Sequence, residues 1–441
     1  MLKVCKFGGS SLASGEQFAK VKEIVKADSA RSVIVVSAPG RRFSGDSKVT
    51  DLLYLCHAHI QYGVSYENIF AMIEERYNEI KQTCGLTLDL EAEFAEIRSH
   101  MGKRMSIDYL ASRGEYLNAK LMAEYLGYAF GDAKDWLFFG YDGKIDLDKT
   151  YEAVGELIRK HPRIVLPGFY GSMPDGSIRT LSRGGSDITG ALAAAAIDAV
   201  AYENWTDVSG ILMADPRIVD KPKSIERITY AELRELSYMG AEVLHEEAVF
   251  PVRMKDVPLY IKNTNDPSAP GTLIRESFDE EVDDERSATH FITGISGRKH
   301  YTVISMGKIG MSGEAGFLRK ALAITEKFGV TVEHVPTGID SLTLVMPTGK
   351  VERCLPELVA ELKAACQPDT IKVTGDISLI AVVGRKMAFR LGISGRLFAN
   401  LGANDINIRL IEQGADEIII IVGVMDSDFE KAIQVLYYSF T

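Results

Sequence analysis

The sequence is short of grouped cysteines: Cys5, Cys56, Cys84, Cys354 and Cys366 are scattered over 441 residues, with no CxxC pair and no His/Cys cluster. That pattern excludes a disulfide framework and fits reduced, intracellular thiols. No metal-ligand set is expected from the protein itself. Cys5 lies in an apolar run and reads as buried filler rather than a nucleophile. No run of about 18 apolar residues occurs, so no membrane span is expected. A signal-peptide pattern is missing too. Met1-Leu2-Lys3-Val4-Cys5 leads straight into a lysine and glycines, and the expected compartment is the cytoplasm. Positive charge is in deficit, with 50 Lys and Arg against 61 Asp and Glu and a net charge of −11. A phosphate backbone needs clustered basic residues, so nucleic acid is excluded as a bulk partner. A small anion needs only a local positive pocket and stays open.

What is present is an ordinary globular composition, 46% hydrophobic and 25% charged. At about 100–200 residues per domain the length gives roughly two to four domains. The first two-thirds alternates strand and helix patterns. Lys3 to Phe7 is a short apolar strand. A Gly/Ser turn follows, then a helix from about Ser14, with Ser14 and Gln17 placed as a capping box. Val33-Ile34-Val35-Val36 is wholly apolar and predicts a strand buried on both faces. Asp51 to about Leu126 is mostly helical in pattern. Ile164-Val165-Leu166, Ala199 to Glu203 and Leu259-Tyr260-Ile261 predict further strands, and Gly190 to Ala196 an Ala-rich helix. Pro174-Asp175-Gly176 signals a turn and a hairpin. Together these predict an α/β domain with a mainly parallel sheet.

Near Ile274 the composition changes, and Glu276 to Arg286 carries seven acidic side chains, as a solvated linker would. Beyond it lies an internal repeat. Under a shift of 76 positions, Val303 falls on Leu379 and Gly316 on Gly392. Val330, Val332 and Val335 fall on Ile406, Ile408 and Ile411, and Leu342, Leu344 and Met346 on Ile418, Ile420 and Val422. Each copy reads strand, helix, strand, strand, helix, an α+β unit of the ferredoxin-like kind.

Three segments carry chemistry. A strand ending in Lys6-Phe7-Gly8-Gly9-Ser10-Ser11 and leading to a helix exposes backbone N–H groups suited to a phosphate, with Lys6 at the strand's carboxyl end. Alone such a turn is usually only a turn. No Walker A, GxGxxG or protein-kinase signature accompanies it. Leu181 to Gly190, LSRGGSDITG, is a second Gly-rich entry to a helix. Its Arg183 offers a planar fork for a carboxylate. Its Asp187 could hold a metal, orient Lys6 or favour the helix N-terminus. Trp205-Thr206-Asp207-Val208-Ser209-Gly210, with Ala214-Asp215-Pro216-Arg217, gathers polar residues after a third strand.

In this order the segments resemble the aspartokinases of the amino-acid kinase superfamily. The resemblance covers nearly all of the chain. It includes KFGGSS, VVSAPG at Val35–Gly40, RGEYLNA at Arg113–Ala119 and GFYG at Gly168–Gly171. It continues through LSRGGSDITG, WTDVSGI, ADPRIV and the segment from Ile261-Lys262-Asn263-Thr264 to Pro270-Gly271-Thr272.

The resemblance implies an amino-acid-kinase fold over 1–275, an acidic linker over 276–298, and paired ACT domains over 299–374 and 375–441. It further implies that a final strand near Val435–Phe440 returns to the first copy. The implied reaction makes 4-phospho-aspartate from ATP and aspartate, with Mg²⁺ on the phosphates. The nucleophile is already ionised, so positioning and charge neutralisation suffice.

The same resemblance assigns Lys6 to the transferring phosphoryl group and Gly8, Gly9 and Ser10 to the ATP phosphates. Asp187 organises Lys6. Thr50, Glu115, Phe169, Arg183 and Ser186 form the aspartate pocket, with Glu115 on the ammonium and Arg183 on a carboxylate. Thr206, Asp207, Asp215, Pro216 and Arg217 form the nucleotide pocket. Leu212 and Glu242 depart from the family's common tyrosine and lysine, which shifts nucleotide charge towards Lys262 or Arg217; His245 reads as structural. In the tail, Met311, Gly316, Phe317, Val332 and Glu333 resemble the effector region, with lysine expected first and threonine second. Sheet edges in tandem units suggest a homodimer or larger. The competing readings are a kinase for glutamate, carbamate or UMP, and an inactive amino-acid sensor. Glu115 with Arg183 disfavours UMP, the ACT tail disfavours carbamate, and intact Lys6, Arg183 and Asp187 argue against the sensor.

Overall fold

In the computed structural model, the residues described are 1–182, 184–241, 244, 246–278, 291–385, 387, 391–414 and 418–441. The chain divides into two compact units. The first comprises Met1–Ile211, Ser224–Tyr230 and Val243–Phe278; the second comprises Leu212–Lys223, Ala231–Glu242 and Asp279–Thr441.

The first unit is built on an eight-stranded sheet. Its strands are β1 (Lys3–Phe7), β2 (Arg31–Val36), β3 (Ala129–Phe130), β4 (Ile164–Pro167), β7 (Ala201–Thr206), β8 (Arg227–Thr229), β9 (Leu259–Asn263) and β10 (Thr272–Arg275). Their order is β3-β4-β2-β1-β7-β9-β10-β8. Every pairing is parallel except β9 with β10. The predicted mainly parallel sheet is therefore what forms. β1 and β2 lie inside the sheet with neighbours on both sides, and Val4, Cys5, Phe7 and the unbroken apolar run Val33 to Val36 are buried. Pro174–Gly176 is the tip of the hairpin β5 (Tyr170–Ser172) to β6 (Ile178–Thr180).

Helices α1 (Gly15–Lys26), α2 (Val49–Tyr62), α3 (Glu67–Cys84), α4 (Leu90–His100), α5 (Ile107–Leu126), α6 (Leu147–Lys160) and α7 (Gly185–Ala196) accompany the sheet. The capping box at Ser14 is half made. Ser14 Oγ accepts from Gln17 N at 3.4 Å, but the Gln17 amide donates to Asn265 Oδ1 at 3.1 Å instead of returning to Ser14. One core cluster joins Phe7, Phe18, Tyr77, Phe94, Leu117 and Trp205.

The second unit carries a five-stranded antiparallel sheet of β11 (Gly294–Gly307), β12 (Ser341–Pro347), β13 (Thr370–Val383), β14 (Leu410–Gln413) and β15 (Ile419–Met425), ordered β12-β11-β13-β15-β14. The bounds of β11 and β13 are related by the same 76-position shift, as are those of the helices Phe317–Lys327 and Ile393–Ala403. The two long strands pair with each other. Gly294 faces Val383 and Gly307 faces Thr370, and the shift exchanges these two pairs, so the copies are related by a local two-fold.

Four expectations for the tail are corrected. The segment Val330 to Val335 is not a regular strand. Its backbone pairs with β12 through a bridge from His334 to Val345, with Glu333 N donating to Val345 O at 2.9 Å, and Val330 shares a core cluster with Leu342, Leu344 and Met346. Val435–Phe440 is the end of a helix, Phe429–Phe440, not a returning strand. Phe429, Ala432, Ile433, Leu436 and Tyr437 are buried at helical spacing, and this period overrides the β propensity of the aromatics. The linker expected over 276–298 overlaps β11, whose Gly294 and Ile295 are already buried; residues 279–290 lie outside the described set. What passes between the copies is the pair of long strands, so the boundary drawn at 374/375 falls inside β13.

Candidate active site

Lys6 is the fourth residue of β1, and its register partner on β7 is Asn204. Both side chains reach Asp187 in the first turn of α7, where the helix dipole favours a carboxylate. Lys6 Nζ lies 2.6 Å from Asp187 Oδ1, and Asn204 Nδ2 donates to the same oxygen at 2.8 Å. Asn204 was not foreseen; its signal is that it follows the predicted strand to Glu203 in phase with Lys6.

The turn after β1 is tighter than expected. Gly9–Leu12 forms a single 3-10 turn before α1, and Gly8 N donates to Trp205 O at 3.0 Å. Gly9 is pressed against the stretch after β2. Gly40 N donates to Gly9 O at 2.8 Å, and a Cβ on Gly40 would lie 2.6 Å from Gly9 C. Only glycine allows that approach.

Helix α5 fixes the same stretch from the other side. Asn118 Nδ2 donates to Ser37 O at 2.7 Å, and Glu115 Oε1 accepts from Ala38 N at 3.0 Å. Glu115 is 4% exposed. Its second oxygen, Oε2, is buried without a hydrogen-bond partner. Burial pushes this carboxyl up to about 8, with the Ala38 N–H pulling the other way.

The opposite wall comes from GFYG and LSRGGSD. Phe169 has φ 79°, a left-handed conformation that strains a non-glycine residue by about 1–3 kcal/mol. It is held there because its N–H donates to Thr189 Oγ1 at 3.0 Å and its C=O accepts from Leu181 N at 2.7 Å. A Cβ on Gly168 would meet Ser186 Oγ at 2.6 Å, and one on Gly185 would meet Phe169 Cδ2 at 2.7 Å, so the two loops interlock.

These walls enclose a cleft of about 890 Å³. It gathers six predicted residues, Lys6, Thr50, Glu115, Phe169, Ser186 and Asp187. Ser37, Lys48, Asp51, Tyr54, Leu181, Ser182, Gly184 and Gly185 also line it and were not predicted as site residues. Tyr54 was legible as the i+4 neighbour of Thr50 on one helix face. Lys48 is the N-cap of α2, and Thr50 lies inside its first turn.

Other predicted residues stand apart from this lining. Gly8, Gly9, Ser10, Thr206 and Asp207 do not line the cleft. Thr206 Oγ1 donates to Asp207 Oδ1 at 3.1 Å. Asp215, Pro216 and Arg217 belong to the second unit, where Arg217 Nη2 reaches Asp215 Oδ2 at 2.6 Å and holds that carboxyl below its usual range. Leu212 belongs there too. Lys262 Nζ donates to Ala269 O at 3.3 Å and lies 5.4 Å from the Trp205 ring centroid, and burial lowers its pKa. Arg183, Glu242 and His245 lie outside the described residues.

In the second unit, Met311 and Phe317 are core residues, with Val332 partly buried against the same cluster. Gly316 caps the helix Phe317–Lys327 at φ 81°. Glu333 accepts from Tyr301 Oη at 2.6 Å and lies 3.5 Å from Arg298 Nη1.

The amino acid kinase family matches residues 1–263, and an ACT domain matches residues 380–440. A strand-end lysine on a parallel sheet, facing an interlocked glycine-loop wall, belongs with that match: the chain is a member of the amino acid kinase family. Aspartokinase 3 of Bacillus subtilis is 36% identical to it, with 100% of this chain and 98% of that protein covered. The aspartate kinase of Clostridium acetobutylicum has a solved structure with 46% identity, a TM-score of 0.90 and full coverage of both chains. E. coli aspartokinase III, solved in complex with aspartate and ADP, is 25% identical with a TM-score of 0.73, covering 100% of this chain and 99% of that one. Within the family, the chain belongs to the aspartokinases.

Proposed function

We propose that the chain transfers the γ-phosphate of ATP to the side-chain carboxylate of L-aspartate, giving 4-phospho-L-aspartate, the first step towards lysine, threonine and methionine. The observation that carries the reading is the pairing, in one cleft, of Lys6 on Asp187 with a buried Glu115 whose second oxygen has no donor. An aspartate ammonium supplies that missing donor. Its charge draws the Glu115 proton off, since an ammonium beside a carboxyl favours the ionised form. Ser186 and Thr50 offer hydroxyls to the substrate from opposite walls. Lys6, kept in place by Asp187 and Asn204, takes up charge that develops on the phosphoryl oxygens. Arg183 takes a substrate carboxylate in this reading.

Mg²⁺ completes it. Among the described residues no group of three His, Cys, Asp or Glu side chains could hold a metal. That fits an ion which arrives on the triphosphate and keeps waters and phosphate oxygens as ligands. When bound, it neutralises phosphate charge. For the tail, lysine is the proposed effector. E. coli aspartokinase 3 is named lysine-sensitive, and the E. coli enzyme has been solved with lysine and aspartate in a T-state. Glu333 is an acid of the right sign for a lysine ammonium. The sheet edge at β14 suits pairing between chains in a homodimer or larger assembly.

The test is acyl-phosphate trapping as hydroxamate with ATP, Mg²⁺ and either aspartate or glutamate, with and without lysine or threonine. Hydroxamate from aspartate, suppressed by lysine, is expected. No product from aspartate refutes the activity, and insensitivity to lysine refutes the effector.

A further inference from the structure

Between β2 and α2 the chain makes a loop with one end against the turn after β1 and the other on the cleft. Gly40, at its start, is pressed against Gly9 of the turn after β1, and Lys48 and Thr50, at its end, line the cleft. Both ends are held by one side chain from α3. Arg76 is 3% exposed, and its Nη1 donates to Gly40 O at 2.8 Å. Its Nη2 donates to Asp46 Oδ2 at 2.6 Å and reaches Ser47 O at 3.5 Å. Arg76 Nε is buried with no acceptor, so the guanidinium is held through its terminal nitrogens alone. A second link runs alongside. Arg42 Nε donates to Asp46 Oδ2 at 2.9 Å, and Arg42 Nη1 donates to Glu79 Oε2, also on α3, at 2.6 Å. The Arg42 hydrogen bond, with the Arg76 charge behind it, holds the Asp46 carboxyl well below its usual range.

A buried cation with one nitrogen unpaired is a costly way merely to fasten a loop, because an apolar contact would do that without the desolvation. What the planar fork adds is a fixed distance between two points. We propose that Arg76 is a positioning residue for the transfer reaction: it sets the separation between the Gly9–Gly40 contact, in the turn read as holding the ATP phosphates, and the start of α2 on the aspartate pocket. The proposal rests on the reading of that cleft as the kinase site.

The test compares Arg76→Met, Arg76→Lys and Asp46→Asn by steady-state kinetics well below each variant's melting temperature. Arg76→Met releases both ends. A misplacement of about 1 Å is enough to cost on the order of 10²-fold, so kcat/KM is expected to fall by roughly that factor for ATP and aspartate alike. Arg76→Lys has a single ammonium, which goes to the Asp46 carboxylate. It should recover the KM for aspartate and leave the KM for ATP raised. Asp46→Asn should do the reverse, raising the KM for aspartate with that for ATP unchanged. Wild-type kinetics for both substrates in folded Arg76→Met, or equal changes of both KM values in Arg76→Lys, would overturn the proposal. If Arg76→Met does not fold, the opposed KM shifts of the other two variants decide it alone. Failure of the underlying kinase reading would look different: the unaltered protein itself would give no hydroxamate.

Discussion

Strands β1 and β7 carry two buried ion clusters, one on each face, built from adjacent residues. On one face, Glu203 receives Lys3 Nζ at 3.2 Å, Arg31 Nε at 2.8 Å, Trp205 Nε1 at 3.0 Å and Cys5 Sγ at 3.5 Å. On the other, Asp187 receives only Lys6 and Asn204 among the described residues, both on Oδ1. Burial alone does not explain the difference, although the Asp187 side chain is 18% exposed against 4% for Glu203. Saturation does. Glu203 is surrounded by donors and has no capacity left, as a structural carboxylate should be. The Lys6 cluster has spare acceptors, including a buried and unpartnered Asn204 Oδ1, and it opens on a cleft. Unused hydrogen-bonding capacity, rather than low exposure, marks the side of the sheet that meets a ligand.

The comparison breaks if the two clusters respond alike. Lys6→Ala should lower kcat by about 10³-fold or more, the scale of losing a transition-state charge stabiliser, with little change in melting temperature. A variant with normal turnover would remove Lys6 from the chemistry. Glu203→Ala leaves the partly buried Arg31 and Lys3 without their shared carboxylate. The expected cost is about 3–5 kcal/mol of stability, read by urea denaturation, with KM values unchanged in the protein that remains folded. A kinetic defect without a stability defect would place Glu203 in the site instead.

Glu115→Gln sharpens the contrast through pH. Between the ordinary 4.5 and about 8 the unfolded chain has released this proton and the empty folded protein has kept it. Its stability therefore falls as pH rises across that interval. Glu115→Gln should remove this slope, so its melting temperature gains on the unaltered protein from pH 5 to 8. The KM for aspartate, in turn, should drop for the unaltered protein as pH rises towards 8 and be about 10²-fold higher and pH-independent in the variant. Parallel melting curves across this range would mean that Glu115 is already ionised in the empty cleft.

Much of this was readable from residue order. An unbroken apolar run marked β2 as buried on both faces, and the Gly-rich entries marked the loops that interlock at Phe169. The tail's duplication was legible because strand periodicity survives a fixed shift. What was not legible depended on partners remote in sequence. Nothing near Arg76 indicates that it faces Gly40, and Asn204 gains its meaning only when β1 and β7 pair in register. The segment at Val330–Val335 has strand-like alternation but its backbone pairs with β12 at a bridge. Val435–Phe440 was expected as a strand on the family resemblance alone, and burial at Phe429, Ala432, Ile433 and Leu436 decides for the helix. The nucleotide side of the site was read from motifs whose backbone does not line the cleft, since a motif names residues without giving the direction in which their N–H groups point.

The reciprocal pairing of β11 with β13 has a mechanical meaning. Each is a strand of 14 residues, roughly 45 Å of backbone, that runs through both copies of the tail, and the ladder between them breaks register near its middle, where His300 (φ 68°) and Asp376 (φ 55°) are left-handed. One half of β11 lies along β12 and the other half along the far end of β13, which continues to β15. The two halves of each strand therefore meet at a bulge that the repeat places at equivalent positions, His300 in one copy and Asp376 in the other. The duplicated tail is one sheet bent at a matched pair of bulges rather than two beads on a string.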